Sequence, residues 1–481
     1  MKNTLIGRQE EQAILNKAFL SGEPEMVAVI GRRRVGKTFL VRSVYEDRID
    51  FEITGIQNAS LADHLQNFSS RLTHLAKPVL PVQKPSNWLE AFQMLITFLE
   101  NGKNPGRKVV FFDELPWLAT HKSGFLNAFG FFWNSWASQQ NIVVVICGSA
   151  ASWMIRNVVR NKGGLHNRIT RRIHLQPFNL WETEQFLKSR SAQFDQYQIL
   201  QLYMAMGGVP HYLKEVEPGK SAVQNIDRIC FSANGLLNDE FLQLYPALFE
   251  NAEDHIKIIR ALAGTWRGMT RNEIIENSKI PNGGNTSKII EELVSSGFIS
   301  AHYAFGKKKK ELRYRLTDEY SLFYLKFIEQ NRSEGQGTWL KLSQTQTWKS
   351  WSGYAFENIG LKHIANIKKA LGISGIYSEA SVFSLKASGQ QPGIQIDLLI
   401  DRNDHVINLF EFKFYNSDFI LTKEYAGELR TKAAIFKNST NTRKQVYINL
   451  LTTFPLIPNE HSIGLIDQAM TMDVFFQETG L

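Results

Sequence analysis

Cysteine is nearly absent: the 481 residues include only Cys147 and Cys230. Two isolated cysteines build neither a disulfide framework nor a zinc site, since both need clusters at characteristic spacing. Cys147 follows the apolar run Val143 to Ile146 and reads as a buried strand residue. Long apolar runs are missing as well. No stretch approaches the ~18 uninterrupted apolar residues of a membrane span, and the opening segment Met1 to Gln12 carries no apolar signal core. A cytoplasmic protein with no membrane partner is expected. There is no internal repeat. Acidic residues are the minority, 46 against 55 Lys and Arg, for a formal net charge of +9. A basic balance modestly favours a nucleic-acid partner, although an acidic protein surface or membrane headgroups would attract it equally well. The chain is 43% hydrophobic, ample for buried cores, and at ~150 residues per domain it is long enough for about three.

Three short apolar runs stand out: Met26 to Ile30, Val109 to Phe112 and Ile142 to Ile146. Each has the composition of a strand buried on both faces, and helical patterns separate them, which implies an α/β domain with a parallel sheet. The first run leads into Gly31-Arg32-Arg33-Arg34-Val35-Gly36-Lys37-Thr38, which fits the P-loop pattern in its proper context, strand before and helix after. The glycines let backbone N–H groups turn toward phosphate oxygens, and the helix N-terminus adds positive potential. Gly31, Arg34, Gly36, Lys37, Thr38 and Phe39 are the candidate nucleotide contacts. Lys37 is expected at the β- and γ-phosphates of ATP and Thr38 on Mg²⁺.

The second run ends in Asp113-Glu114. Asp113 is the second candidate Mg²⁺ ligand and Glu114 the candidate base for the attacking water; the structural alternative is an acidic pair capping the segment before Pro116. The third run ends in Cys147-Gly148-Ser149, where Ser149 either senses the γ-phosphate or simply turns the chain. Asn167 to Arg172 is rich in arginine, and Arg168 is the candidate to stabilise transition-state charge, from its own chain or a neighbour, against the alternative of a solvated basic surface.

Taken together, Ile6-Gly7-Arg8-Gln9-Glu10, the P-loop, Asp113-Glu114, Cys147-Gly148-Ser149 and Gly207 to Leu213 resemble the prokaryotic "archaeal ATPase" family, a branch of AAA+-related, STAND-like NTPases. The resemblance covers about residues 1–245. It implies an ATPase core over 1–178, a helical lid over 179–245 and a winged helix over 246–330, with nucleotide as a conformational switch. Residues 254–318 fit that winged helix: His255 to Leu262 is helical, Thr270 and Glu273 have capping-box spacing before a second helix, Asn285-Thr286-Ser287 opens a third, and Phe298 to Ala304 pairs with Glu311 to Leu316 around Lys307 to Lys310. A lysine-tipped wing beside Tyr303, Phe305, Arg313, Tyr314 and Arg315 suits DNA; the alternative is a solvated turn on a rigid spacer. Asn331 to Gly337 reads as a linker.

The remaining segment, 345–481, changes character. Ile394 to Ile400 and Val406 to Lys413 read as a hairpin turning near Asp404, which sets Asp397 opposite Glu411 and puts Lys413 on the same face as Glu411. Two like-charged carboxylates call for a bridging divalent cation such as Mg²⁺, and Lys413 can stabilise an attacked phosphate. Glu357 lies on an upstream helix with Tyr354, Ile364, Ile367 and Leu371 as its apolar positions. The structural alternative is a surface ion cluster. Asp397 and Glu411-Phe412-Lys413, with Glu357 as the helical acid, resemble the PD-(D/E)xK, or restriction-endonuclease-like, superfamily over about residues 345–455; Ile396 stands where a proline often precedes the Asp. The resemblance implies Asp397 and Glu411 as Mg²⁺ ligands, Glu357 and Lys413 as catalytic partners, and Lys423 and Arg430 as phosphate contacts. The expectation is an ATP-hydrolysing protein that acts on DNA and cleaves phosphodiesters with Mg²⁺. The alternative is a nucleotide-switched DNA-binding regulator or signalling ATPase with an inactive nuclease fold. Homo-oligomerisation and a protein partner are left open.

Overall fold

A computed structural model describes residues 5–77, 81–102, 106–120, 122–160, 163–249, 251–306, 312–332, 334–387 and 392–478. The chain divides into two compact units, one formed by Met1–Pro177 with Leu248–Glu250, the other by Phe178–Ala247 with Asn251–Leu481. Apart from Leu248–Glu250, segments 179–245, 246–330 and 345–481 therefore fall in one unit.

The first unit is built on five strands, β1 (Glu25–Ile30), β2 (Phe51–Thr54), β3 (Lys108–Asp113), β4 (Ile142–Gly148) and β5 (Arg171–His174), in the order β2-β3-β4-β1-β5 with every pairing parallel. Helices cover both faces, so the central strands β1, β3 and β4 carry near-continuous apolar runs, whereas the edge strands β2 and β5 mix polar and apolar residues. The two-residue period sorts them. Met26, Ala28, Val110, Phe112, Val144 and Ile146 enter one core, with the rings of Phe92, Phe125, Phe129 and Phe132; Val27, Val29, Val109, Phe111, Val143, Val145 and Cys147 enter the other. Both cysteines are buried and free.

The second unit begins with helices Leu180–Ser189, Gln196–Met206 and Ala222–Phe231, the first and third started by capping boxes at Asn179 and Ser221. Gly208 is forced by packing: a Cβ there would lie 1.8 Å from the Phe178 carbonyl oxygen, whose own N–H donates to the Gly208 carbonyl at 2.7 Å. Where a winged helix is expected, helices Ala252–Ala263, Arg271–Ser278 and Gly284–Ser295 lie beside a small antiparallel sheet of β6 (Met269–Thr270), β7 (Ile299–His302) and β8 (Arg313–Leu316), ordered β6-β8-β7. Thr270 and Glu273 do form a capping box. Lys307 to Lys310 and Glu311 lie outside the described residues. The last region has a mixed sheet, β15-β13-β11-β10-β9, in which β9 (Ser378–Leu385), β10 (Ile394–Arg402) and β11 (Val406–Lys413) are antiparallel and β13 (Gln445–Thr452) and β15 (Gln468–Thr471) continue parallel to β11; β12 (Phe419–Ile420) pairs with β14 (Leu456–Ile457) apart from it.

Two expectations change. The segment read as a linker is pinned: the buried carboxylate of Asp227 accepts the N–H groups of Gly337 and Trp339 at 2.7 and 2.8 Å, and the Trp339 ring stacks on Phe231. The helix expected to have Tyr354, Ile364, Ile367 and Leu371 among its apolar positions is two helices, Gln346–Lys362 and Ile364–Ala370, broken at His363. Tyr354 is on the outside, 37% exposed, stacked on Trp266.

The break has a cause. His363 is buried, its Nδ1 lies 2.8 Å from the Ile359 carbonyl, and its Nε2 accepts the Leu180 N–H at 3.3 Å. Those two bonds fix the neutral ring, with Nδ1–H as donor. Burial pushes its pKa down to about 4. The folded state thus resists the proton that the unfolded chain takes up near pH 6.5. Stability is full above about 6.5 and falls as pH drops toward 4, by roughly 3 kcal/mol at most. Denaturant unfolding of the second unit followed from pH 7.5 to 4.5 should show this loss, and His363→Gln should flatten the His-specific part of the slope.

Candidate functional site

The first site follows from where parallel strands end. Ile30 of β1 is level with Gly148 of β4, and Phe112 of β3 with Ile146. The segments after β1, β3 and β4 therefore emerge along one edge, the carboxyl end of an open α/β sheet, where such sheets bind ligands. After β1 comes the P-loop, closing onto helix Lys37–Tyr45. Gly36 has φ of 93° and Arg34 of 70°; that left-handed turn is open to glycine and strained for arginine. Lys37 is buried and its Nζ donates to the Arg32 carbonyl at 2.8 Å, folding the lysine over the loop. Thr38 Oγ1 donates to Asp113 Oδ2 at 2.9 Å. These are the two groups that would share a Mg²⁺, already side by side. Burial raises the Asp113 pKa, the Glu114 carboxylate adds to the rise, and the Thr38 hydroxyl and Lys37 oppose it; a cation would relieve that cost. Phe39 is 40% exposed at the start of the helix.

Glu114 is held in a left-handed conformation, φ 47°, and its Oε2 accepts both the N–H and the hydroxyl of Ser149, at 3.0 and 2.8 Å. Ser149 thus contacts the candidate base itself, at the tip of the strand lying between those of the P-loop and the acidic pair. Arg168 is elsewhere. β5 runs parallel to β1, and the Thr170 N–H donates to the Met26 carbonyl, so Arg168 precedes the amino end of the sheet. The six residues of β1, roughly 20 Å at ~3.3 Å each, separate it from the P-loop. It is exposed there and does not serve the P-loop of its own chain. A residue without an assigned role, Arg8, is buried beside the loop. Its Nη2 is 3.5 Å from the Val35 carbonyl and its Nη1 3.8 Å from Glu11. Consecutive left-handed residues, Gly7 at 62° and Arg8 at 58°, set it there; the Ile6-Gly7-Arg8 sequence was the available signal.

The second cluster lies on β10, β11 and two helices. The hairpin ladder ends at Leu398 and Phe410, Asp397 and Glu411 are the next residues beyond it, and Asp397 Oδ2 accepts the Phe412 N–H at 2.9 Å. The pairing of β10 with β9 slips between Ile396 and Leu399, a bulge that re-aims Asp397. Burial drives the Asp397 pKa well up, with Glu411 and Glu357 adding to it. Burial likewise raises Glu357, where Arg315 and Lys413 oppose and Glu411 reinforces. The four residues thus share one field. Their partners were not anticipated. Lys432 Nζ bonds both Glu411 oxygens at 2.8 Å, Tyr425 Oη donates to Glu411 Oε2 at 2.9 Å, and Arg315 Nη2 lies 3.5 Å from Glu357 Oε2. Lys413 sits 4.4 Å over the Tyr425 ring. Tyr425 and Lys432 are seven residues apart, on one face of helix Lys423–Thr440, a spacing visible in the sequence. Lys423 and Arg430 are exposed on it. Among the described residues no three His, Cys, Asp or Glu groups converge as a metal site; Asp397 and Glu411 remain a two-carboxylate pair.

Comparison with known proteins bears on the N-terminal region. Residues 5–216 match the family model described as an ATPase domain predominantly from Archaea. The chain is 22% identical over 367 residues to an uncharacterized protein of Methanocaldococcus jannaschii, covering 76% of this chain and 78% of that one. It is similar in fold to a Walker-type ATPase of Pyrococcus abyssi, with a TM-score of 0.50 and 17% identity, over 67% of this chain and 97% of the other. The N-terminal region is a nucleotide-binding P-loop ATPase domain. Among the described residues no helix is long and apolar enough to cross a membrane.

Lys37→Ala should weaken nucleotide binding and abolish turnover. Glu114→Gln should keep ATP binding and slow hydrolysis by about 10²-fold or more. Calorimetric titration with ATP and a phosphate-release assay separate the two effects.

Proposed function

We propose that this chain is an ATP-controlled protein acting on DNA, in which the P-loop region hydrolyses ATP with Mg²⁺ held by Thr38 and Asp113, and the C-terminal region cleaves phosphodiesters with Mg²⁺ at Asp397 and Glu411. The observation that carries the second half is the shared field of Asp397, Glu411, Glu357 and Lys413: burial drives Asp397 and Glu357 toward protonation, with Glu411 adding to each, which favours a hard divalent cation beside them, and the Lys413 ammonium at the end of β11 suits a pentavalent phosphate. In this reading the winged-helix segment meets DNA or passes on the nucleotide state. Arg168 fits the finger role only from a second copy, so oligomerisation goes with that assignment.

A second reading has its own support. Lys432 on both Glu411 oxygens and Arg315 beside Glu357 compete with a cation, as in an inactive nuclease fold retained for docking. Plasmid and single-stranded DNA incubated with Mg²⁺, with and without ATP, separate the two. The first reading expects cutting by the native chain, loss of cutting in Asp397→Ala with ATP hydrolysis intact, and altered cutting in Lys37→Ala. No cutting by the native chain, or full cutting by Asp397→Ala, favours the docking module.

A further inference from the structure

We propose that the cleft between the small antiparallel sheet and β9–β10 binds a phosphoryl group presented by a nucleic-acid strand. The cleft is a cavity of about 30 Å³ lined by Trp266, Arg267, His302, Arg313, Arg315 and Asp397, among others. That is space for roughly two water-sized atoms, the size of two phosphoryl oxygens.

Arg315 is the centre of the site. It is 7% exposed, and neither its Nε nor its Nη2 has a hydrogen-bond partner. Nη2 makes an ion pair with Glu357 at 3.5 Å that lacks hydrogen-bond geometry. Nε–H and Nη2–H are the parallel donors along one edge of a guanidinium, the edge that meets two oxygens of a phosphate at once. A buried donor pair left unmet is costly, and native structures supply a partner from protein, water or ligand. Two further arginines border the cleft. Arg267 is exposed, with its Nε on Gln395 at 3.2 Å, and Arg313 donates to the Gly268 carbonyl at 2.8 Å. His302 is pushed down to about 4, by burial and then by Arg315, so it is neutral near pH 7. Beside the arginines, Trp266 stacks on Tyr354 with centroids 4.5 Å apart and planes within 4°, an aromatic surface of the kind on which bases or sugars lie.

The cleft is built into the fold. Ala304 bridges to Val382 of β9, the Phe305 N–H donates to the Val382 carbonyl at 3.1 Å, and the Phe305 ring packs edge-on against Phe436. These contacts fasten the small sheet to the β9 edge. Because Asp397 also lines the cleft, a phosphoryl group on Arg315 sits next to the carboxylate assigned to cleavage. The choice of a nucleic-acid strand rests on the proposed action on DNA; the pocket does not depend on cleavage.

The test is fluorescence anisotropy of the full chain with labelled single-stranded and duplex oligonucleotides, in EDTA and without nucleotide, so that neither cutting nor ATP contributes. Arg267→Gln and Arg315→Lys, the latter keeping charge but losing the fork, should each weaken binding about tenfold, and inorganic phosphate should compete. Arg267 is exposed, so its variant keeps the test valid if thermal melting shows that Arg315→Lys is unfolded. Wild-type affinity in Arg267→Gln and in a folded Arg315→Lys overturns the pocket. Binding of inorganic phosphate, followed by ³¹P line broadening, without binding of either oligonucleotide overturns the strand as its source. Oligonucleotide binding that depends on Arg267, in a chain that never cuts, upholds the pocket and refutes cleavage alone.

Discussion

The hydrogen bond from Thr38 to Asp113 joins segments 75 residues apart, and the nucleotide site depends on what makes it possible. β1, β4 and β3 lie side by side in parallel, with their carboxyl ends level. Any slip of one strand by a residue would turn its inward residues outward and carry its terminal loop out of line. The continuous apolar strands, filling one core with alternate residues and a second core with the rest, hold the register against that slip. The P-loop, the acidic pair and Ser149 are then delivered to one edge without further adjustment. The strained φ of Glu114 is borne by a chain fixed on both sides, which is how such strain persists at working sites.

In the second unit charge is arranged differently. Carboxylates at Glu357, Asp397 and Glu411 are gathered away from water, and cations from separate elements answer them: Arg315 from β8, Lys432 from helix Lys423–Thr440 and Lys413 from β11. Removing one partner of such a cluster leaves a buried charge uncompensated, which costs far more than the pair contributes. The ion pairs tie the small sheet, the acid-bearing helix and the hairpin into one body.

The three central strands of the ATPase sheet were legible because strands buried on both faces are short, apolar and bounded by glycine or acidic residues; the edge strand Phe51–Thr54, half polar, was not. The hairpin of β10 and β11 was legible because a period of two and a turn at Asp404 fix which residues oppose. What stayed hidden comes from long-range packing. Arg315 and Lys432 lie 42 and 21 residues from their carboxylate partners, and no local pattern pairs them. The break at His363 depends on a hydrogen bond from Leu180, 183 residues earlier. Arg168 was placed by the direction of β5, which residue type alone does not reveal.

If level strand ends deliver Glu114 to a bound nucleotide, Ser149, which bonds its carboxylate, holds it there. Single-turnover ATP hydrolysis by Ser149→Ala, with nucleotide affinity measured alongside, tests this most directly. Losing the hydroxyl bond to Glu114 while the backbone N–H bond remains should change the rate of the chemical step several-fold and leave affinity within about twofold. A Ser149→Ala chain that hydrolyses ATP at the native rate would contradict it.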